Sequence, residues 1–296
     1  MACPIEFCTN TRKELIDMLA SLWQYQFIQH ALLASVFASI VCGIIGVIVI
    51  EKKLVMLSGG IAHTAYGGVG LGYLLGFEPI IGALLISVGA AIGIAYIQRK
   101  GGTRSEVVIG IFWSLGMALG ILFIALMPGY PPDLTSYLFG SLLSVTQSDL
   151  YLIAGLSIIV VLLITALFDY WKAFLFDEAF TKMLGIATHW LEYILLILVA
   201  MAVVVLIRVV GIILVLALLT APPAIAGLYT QSLGARMLLS ILIGGVLCLA
   251  GLTLSYTFNI PSGAAIVVLS AFSYLIAYSL SKPIKSRPIK KERRNP

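Results

Sequence analysis

Nine separate stretches of mostly apolar residues, each about as long as a helix that crosses a bilayer, dominate this sequence. They lie at 24–50, 54–76, 79–98, 106–127, 149–168, 191–208, 211–229, 236–257 and 262–280. Inside hydrocarbon every backbone polar group must pair within the protein, so such stretches form helices. The sequence therefore predicts an all-α, polytopic transmembrane helix bundle of about nine helices. Eight helices are the alternative, because only Arg208 and the Val-Val-Gly after it divide 191–229.

Charged residues are too scarce for a soluble domain of this length. Only 10% of the residues are charged and 61% are hydrophobic, whereas soluble domains are about one quarter charged. A water-exposed surface needs more charged side chains than the chain contains. The composition therefore excludes an ordinary soluble protein.

Lys and Arg are concentrated in alternate loops between the apolar stretches. These loops carry Lys52, Lys53, Arg99, Lys100, Arg104, Lys172, Lys182 and Arg236. Because basic loops stay in the cytoplasm, we expect a cell-membrane protein with an extracytoplasmic segment at 1–23. The transmembrane permease domain then spans 24–280, and a basic cytoplasmic tail follows at 281–296. The position of this tail favours anionic membrane lipid, not nucleic acid, as its partner.

The longest predicted cytoplasmic loop, residues 169–190, contains an amphipathic pattern. Four of its apolar residues share a face at helical spacing: Phe176, Phe180, Met183 and Leu184. Asp177 and Glu178 suit the positive end of a helix dipole, and Gly185 suits a C-terminal stop. We expect a helix of about eight residues that either docks on a cytoplasmic partner or rests on lipid. The acidic polar positions favour docking.

Motifs of common enzymes are absent from the sequence. There is no Gly-x-x-x-x-Gly-Lys-Ser/Thr loop, no His-Glu-x-x-His and no Gly-x-Ser-x-Gly. The chain is therefore predicted not to be an enzyme, and any ATP hydrolysis belongs to a separate subunit. Cys3 and Cys8 leave a disulfide or a metal pair open, but they have no neighbouring ligand residues. No permanently bound cofactor is expected.

His63 lies in the middle of the second stretch, where ionisable residues usually face a bundle interior or a wet cavity. Imidazole is a common ligand of zinc and related metals. Met56 lies seven residues earlier, two helical turns away on a similar face. Both residues are therefore candidates for a transport pathway, with His63 as a transient metal ligand. A packing histidine that hydrogen-bonds a neighbouring helix is the alternative.

Pro222 and Pro223 lie inside the seventh stretch, 211–229. Proline removes a backbone donor and bends or breaks a helix, and broken helices line many transport sites. These prolines are the remaining pathway candidates, and a plain kink is the alternative.

Four segments of the chain carry motifs that occur together in one family. They are Glu51–Ala65 with His63, Tyr137–Ser141, Asp177–Gly185, and Gly211–Ala226 with its proline after Ala-Leu-Leu. In order and spacing they resemble the permease subunit of zinc/manganese/iron ATP-binding-cassette importers, the ABC-3 metal permease family. The resemblance implies that Asp177, Glu178, Ala179 and Gly185 belong to the loop that couples the permease to its ATPase. It also strengthens the pathway role of His63.

Two positions near His63 depart from this family pattern. Family members usually carry Asp four residues before the histidine, where this chain has Gly59. They usually carry Pro four residues after it, where this chain has Gly67. His63 therefore lacks the carboxylate partner that suits metal coordination in the family.

The resemblance implies a permease of an ATP-driven importer for divalent transition-metal ions: zinc, manganese or iron. It also implies cytoplasmic ATP-binding subunits, an extracytoplasmic metal-binding protein, and a homodimer with the pathway between its subunits. A stand-alone secondary transporter or channel is the alternative. Such proteins usually need intramembrane acids, and no Asp or Glu lies in the middle of a predicted span.

Overall fold

The computed structural model describes residues 26–100, 105–128, 140, 142–183, 185–258 and 260–281. The described residues form eleven α-helices and no strand. The helices are α1 Gln26–Glu51, α2 Val55–Leu75, α3 Pro79–Lys100, α4 Ser105–Ala125, α5 Gln147–Ala166, α6 Phe168–Phe176, α7 Glu178–Met183, α8 Thr188–Val210, α9 Ile212–Tyr229, α10 Leu233–Phe258 and α11 Ser262–Leu280. A short 3-10 helix, Leu142–Ser144, precedes α5.

Eight of the described helices are long and apolar enough to cross a membrane, namely all except α2, α6 and α7. Helix α2 has 21 residues and a buried series from Leu57 to Gly72, but its glycines and polar residues lower its hydropathy. It packs inside the bundle between α3 and α4. The predicted polytopic helix bundle is confirmed, and each of the nine predicted stretches coincides with one long helix.

Contacts between helix ends define one end of the bundle, which we call the Arg236 end. Arg236, near the start of α10, forms an ion pair with Glu51 at the end of α1. Lys52 Nζ lies 3.5 Å from the ring centroid of Phe174 in α6. Arg236 Nε also donates to the carbonyl of Thr230, just after α9, at 3.2 Å. This end therefore gathers the basic turn after α1, the short helix α6 and the α9–α10 connection.

The opposite end is marked by Arg208, near the end of α8, and we call it the Arg208 end. Arg208 pairs there with Glu78 between α2 and α3 and with Asp149 near the start of α5. Successive connections between long helices lie alternately at the Arg236 end and at the Arg208 end. Consecutive long helices therefore run in opposite directions.

A single glycine reverses the chain between α8 and α9. Gly211 has φ +84° and is the one residue between the two helices. This left-handed region of φ strongly favours glycine. The division of 191–229 into two helices, for which the sequence left an alternative, is therefore present in the structure.

Some sequence predictions lie outside the described residues. They include segment 1–23 with Cys3 and Cys8, nearly all of the tail 281–296, and most of Tyr137–Ser141. The other two cysteines, Cys42 and Cys248, are buried and free. They pack within the bundle, as expected from their apolar surroundings in the sequence.

Candidate functional site

Helix α2, which carries His63, packs closely on its neighbours because its glycines leave room for their backbones. A Cβ atom on Gly67 would lie 2.7 Å from the carbonyl oxygen of Gly116 in α4. Thr64 Oγ1 donates to the carbonyl oxygen of Phe112, also in α4, at 3.1 Å. The opposite face of α2 packs on α3 through glycines in the same way. Helices α2 and α4 are therefore held in a fixed register around His63.

His63 is half-buried on α2 and stacks on Trp113 of α4. The two ring centroids are 4.3 Å apart and the ring planes differ by 12°. His63 Nδ1 is buried and has no hydrogen-bond partner among the residues that the structure describes. A buried polar atom without a partner costs free energy. In the tautomer protonated at Nε2, Nδ1 has a free lone pair suited to a metal ion.

The same indole ring covers the position one turn before His63. A Cβ atom on Gly59 would lie 3.3 Å from Trp113 Cζ3 and 3.8 Å from Leu216 Cδ2 of α9. A side chain at this position would therefore contact Trp113 and Leu216, and the indole ring would have to shift by a few tenths of an ångström. Trp113 was not identified from the sequence, because the sequence does not show which side chain a tryptophan in an apolar helix will contact.

Met56 lies on α2 but apart from His63. Its side chain is 55% exposed, and seven residues of helix separate the two positions by about 10 Å along the axis. Met56 and His63 are therefore two successive positions along α2, and their joint role in a transport pathway stays a prediction.

Pro222 and Pro223 lie within a continuous helix. Helix α9 runs from Ile212 to Tyr229 through both prolines, so the break that the sequence allowed for is absent. A Cβ on Gly46 of α1 would lie 2.5 Å from the carbonyl oxygen of Leu219 and 2.7 Å from Pro223 Cγ. Glycine in α1 thus lets that helix pack against the carbonyl that Pro223 leaves without its helical donor.

The predicted coupling loop contains two short helices where the sequence predicted one. Helix α6, Phe168–Phe176, is followed by α7, Glu178–Met183. Asp177 separates them in an extended conformation, with φ −149° and ψ 94°. The helix of about eight residues that we expected is α7, which has six residues. The additional helix α6 precedes it, because burial of Trp171 and Phe174 in the bundle stabilises that helix.

Gly185 ends α7 as predicted. It has φ +78°, and its N–H donates to the carbonyl of Lys182 while that of Ile186 donates to the carbonyl of Thr181. This pair of bonds is the Schellman motif, in which glycine is preferred. The motif fixes the C-terminal end of residues 168–185, which were predicted to couple to an ATPase and which we call the coupling segment.

The coupling segment presents a mixed apolar and acidic surface at the Arg236 end. Phe176 is 61% exposed and Met183 is 84% exposed, and Asp177 and Ala179 are exposed beside them. Phe176 and Met183 were predicted to share one face, and the change of direction at Asp177 places them on two helices. Exposed apolar side chains with neighbouring acids are typical of a protein-binding surface.

Arg208 organises a charged cluster at the other end that the sequence did not predict. Its Nη1 lies 2.7 Å from Glu78 Oε1, and its Nε lies 2.6 Å from Asp149 Oδ1. Arg208 also lines a cavity of about 20 Å³ together with Tyr66 and Ala83, a volume that holds about one water molecule. From the sequence, Arg208 was predicted only to divide two helices, because its ion-pair partners lie far away along the chain.

A multi-ligand metal site is absent from the part of the chain that the structure describes. No group of three or more His, Cys, Asp or Glu side chains is close enough there to hold a metal ion. Among the described residues, His63 therefore has no two further His, Cys, Asp or Glu partners with which to hold an ion. Its role as a transient metal ligand stays a prediction.

Comparisons with known proteins agree with this architecture. A model of the ABC 3 transport family matches residues 24–281. An uncharacterised membrane protein of Synechocystis sp. is 39% identical over 268 residues, which cover 90% of this chain and 95% of that protein. The manganese transport system membrane protein MntC of Listeria monocytogenes is 35% identical, covering 88% of this chain and 92% of that protein.

A solved structure has the same fold along nearly the whole chain. PsaBC from Streptococcus pneumoniae, solved in complex with Fab, matches with a TM-score of 0.82 and 32% identity. The match covers 90% of this chain and 96% of the matched chain.

Proposed function

Because this chain belongs to the ABC 3 transport family, we propose that it is the permease subunit of an ATP-driven importer of divalent transition-metal ions. The family match over residues 24–281 is the observation that carries the proposal. The names of relatives such as MntC give manganese as one candidate cargo, and zinc and iron are the others. A stand-alone secondary transporter or channel is disfavoured, because the chain belongs to the ABC 3 transport family and MntC is named as the membrane protein of a transport system.

In the membrane, the Arg236 end faces the cytoplasm and the Arg208 end faces outward. The support is the concentration of Lys and Arg in the loops that belong to the Arg236 end. The coupling segment then lies in the cytoplasm, where ATP-binding subunits dock on Asp177, Glu178, Ala179 and Gly185. An extracytoplasmic metal-binding protein delivers the ion at the Arg208 end.

The ion passes along α2 and meets His63 as a transient ligand. The unpaired, buried Nδ1 of His63 supports this role, as does the exposure of Met56 further along the same helix. Pro222 and Pro223 shape α9, whose Leu216 approaches α2 at Gly59. Two copies of the chain form the pathway between them, so that each copy contributes one His63.

The proposal is tested by metal uptake in cells that lack their own importers. The chain is expressed with candidate ATP-binding and extracytoplasmic metal-binding subunits, and entry of labelled manganese, zinc and iron is measured. His63→Ala and His63→Gln should lower uptake at least tenfold at an unchanged protein level, a rough figure for loss of a metal ligand. An amide keeps hydrogen bonding but is a poorer ligand than imidazole.

His30→Gln is the matched control, because His30 Nδ1 donates to the carbonyl of Val145 at 3.2 Å. Glutamine can replace that hydrogen bond, so uptake should be retained. Full uptake by His63→Gln would make His63 a packing residue. Absence of ATP-dependent uptake of all three metals would remove the proposed function itself.

A further inference from the structure

The surroundings of His63 differ from a site built for a hard metal ion. Its closest described ring is the Trp113 indole, stacked at 4.3 Å between centroids. The position one turn before it is Gly59, and Trp113 and Leu216 lie beside that position. Each copy of the chain therefore offers one imidazole nitrogen beside apolar and aromatic surface.

We propose that Trp113 determines the metal selectivity of the pathway: it gives His63 a stacked aromatic neighbour, and lies beside Gly59 where no carboxylate is present, and so favours Zn²⁺ over Mn²⁺. This inference rests on the proposed function, and it names the cargo at the same site. Imidazole suits zinc, whereas manganese prefers carboxylate, carbonyl and water oxygens. Mn²⁺ also binds nitrogen ligands more weakly than Zn²⁺ does in the general order of divalent metals. A site without a carboxylate therefore loses more affinity for Mn²⁺ than for Zn²⁺.

The position of Trp113 is fixed by the helices that carry the two rings. The residue before it, Phe112, accepts the hydrogen bond from Thr64 of α2 at 3.1 Å. Three residues after it, Gly116 lies against the backbone of α2, where Gly67 leaves room. Helix α4 cannot move away from His63 at this point without breaking those contacts. Separation of the two rings at this point therefore requires rotation of the Trp113 or the His63 side chain.

The decisive comparison combines Gly59→Asp with Trp113→Ala. A Cβ at position 59 would lie 3.3 Å from Trp113 Cζ3, so the new carboxylate has more room beside His63 when the indole is removed. The complete transporter should prefer zinc when both metals are offered at equal concentration. In the double variant, the zinc-to-manganese uptake ratio should fall by about tenfold, a rough figure for a change of metal surroundings.

Two single variants define the contribution of each residue. Gly59→Asp alone should shift the ratio less than the double variant, because the indole of Trp113 still lies against that position and on His63. Leu115→Ala is the matched control, since Leu115 lies on the same helix and is 51% exposed. It should leave the ratio unchanged. Preference of the wild-type chain for manganese, or an unchanged ratio in the double variant, would overturn the inference while leaving metal import intact.

A binding measurement gives a second readout that does not depend on transport. In the full chain with Trp23, Trp171 and Trp190 replaced by Phe, Trp113 is the remaining tryptophan. Zn²⁺ should change its emission at a concentration at least tenfold lower than Mn²⁺ does, a rough expectation from the affinity order. His63→Gln should abolish the response to Zn²⁺. Equal responses to both metals, or a zinc response that survives His63→Gln, would contradict the role of Trp113.

Discussion

Arg208 Nε lies 2.6 Å from Asp149 Oδ1, and this ion pair joins the end of α8 to the start of α5. The Asp149 side chain is 9% exposed, whereas the other partner of Arg208, Glu78, is 54% exposed. Asp149 also accepts a hydrogen bond from the N–H of Thr146 in the capping box of α5. One buried carboxylate therefore fixes both a helix start and a contact between helices.

The difference in burial predicts unequal effects of removing the two acids. Asp149→Asn should lower the free energy of unfolding by about 2 kcal/mol, because it leaves Arg208 without its buried partner. Glu78→Gln should cost less than about 1 kcal/mol, since exposed pairs are screened by water. Asparagine keeps an oxygen that can accept the Thr146 N–H, so the comparison reports mainly on the ion pair.

Thermal unfolding of the purified protein in detergent measures both effects. An Arg208→Gln background supplies the control, because the loss caused by Asp149→Asn should become much smaller there. Equal losses from Asp149→Asn and Glu78→Gln in the wild-type background would show that burial of Asp149 does not strengthen the pair.

The coupling role of α7 predicts loss of transport without loss of the bundle. Glu178→Arg reverses a charge at the start of α7, where the proposed ATP-binding subunit docks. Uptake of metal and copurification of the ATP-binding subunit should both fall, while the amount of permease in the membrane stays constant. Gly185→Leu should act in the same way, because leucine disfavours the φ of +78° that ends α7.

Glu106→Arg is the matched control for Glu178→Arg. Glu106 is also an acid in the first turn of a helix, α4, but it lies outside the coupling segment. Its reversal should leave copurification of the ATP-binding subunit unchanged. If both Glu178→Arg and Gly185→Leu retain full uptake, α7 has no coupling function and instead rests on the lipid surface.

The proposed orientation predicts which end of the bundle can be labelled from outside the cell. Ser148 lies at the Arg208 end and Gln231 at the Arg236 end, and both are exposed. In a chain with Cys3 and Cys8 replaced by Ser, the remaining cysteines are buried. A membrane-impermeant thiol reagent should label Ser148→Cys in intact cells and label Gln231→Cys only after lysis. The reverse pattern would invert the proposed orientation.

The helices could be predicted from sequence because their signal is local. A run of about 20 apolar residues needs to be a helix wherever its neighbours lie. The Gly185 stop was also predictable, since a C-terminal cap depends on residues within one turn. These features require no knowledge of which helix packs against which.

Contacts between distant helices were not predictable in this way. The Trp113–His63 stack depends on how α2 and α4 are rotated about their axes. Because both helices are apolar on every side, the distribution of apolar residues does not indicate that rotation. The double proline gave a real local signal, but packing of α1 on α9 maintains a continuous helix there. In both cases the deciding interaction joins segments far apart in the chain.

The close approach of α2 and α4 predicts that two glycines respond oppositely to the same substitution. In Gly67→Ala the new Cβ would lie 2.7 Å from the carbonyl oxygen of Gly116, so the helices have to separate. That separation should cost about 1–3 kcal/mol of unfolding free energy, as overpacking does elsewhere. Gly110→Ala, on α4 itself, places a Cβ where nothing lies within 4 Å. It should be neutral or slightly stabilising, because alanine is the better helix former.

The emission of Trp113 gives this prediction a local readout beside thermal unfolding. When α4 is displaced by Gly67→Ala, the indole should lose its stack on His63, and its emission in a Trp113-only chain should shift. Gly110→Ala should leave the emission unchanged, because it does not disturb the contact between the helices. If Gly67→Ala matches Gly110→Ala in both stability and emission, then α2 and α4 do not hold Trp113 against His63. The proposed control of metal selectivity would then lose its structural basis.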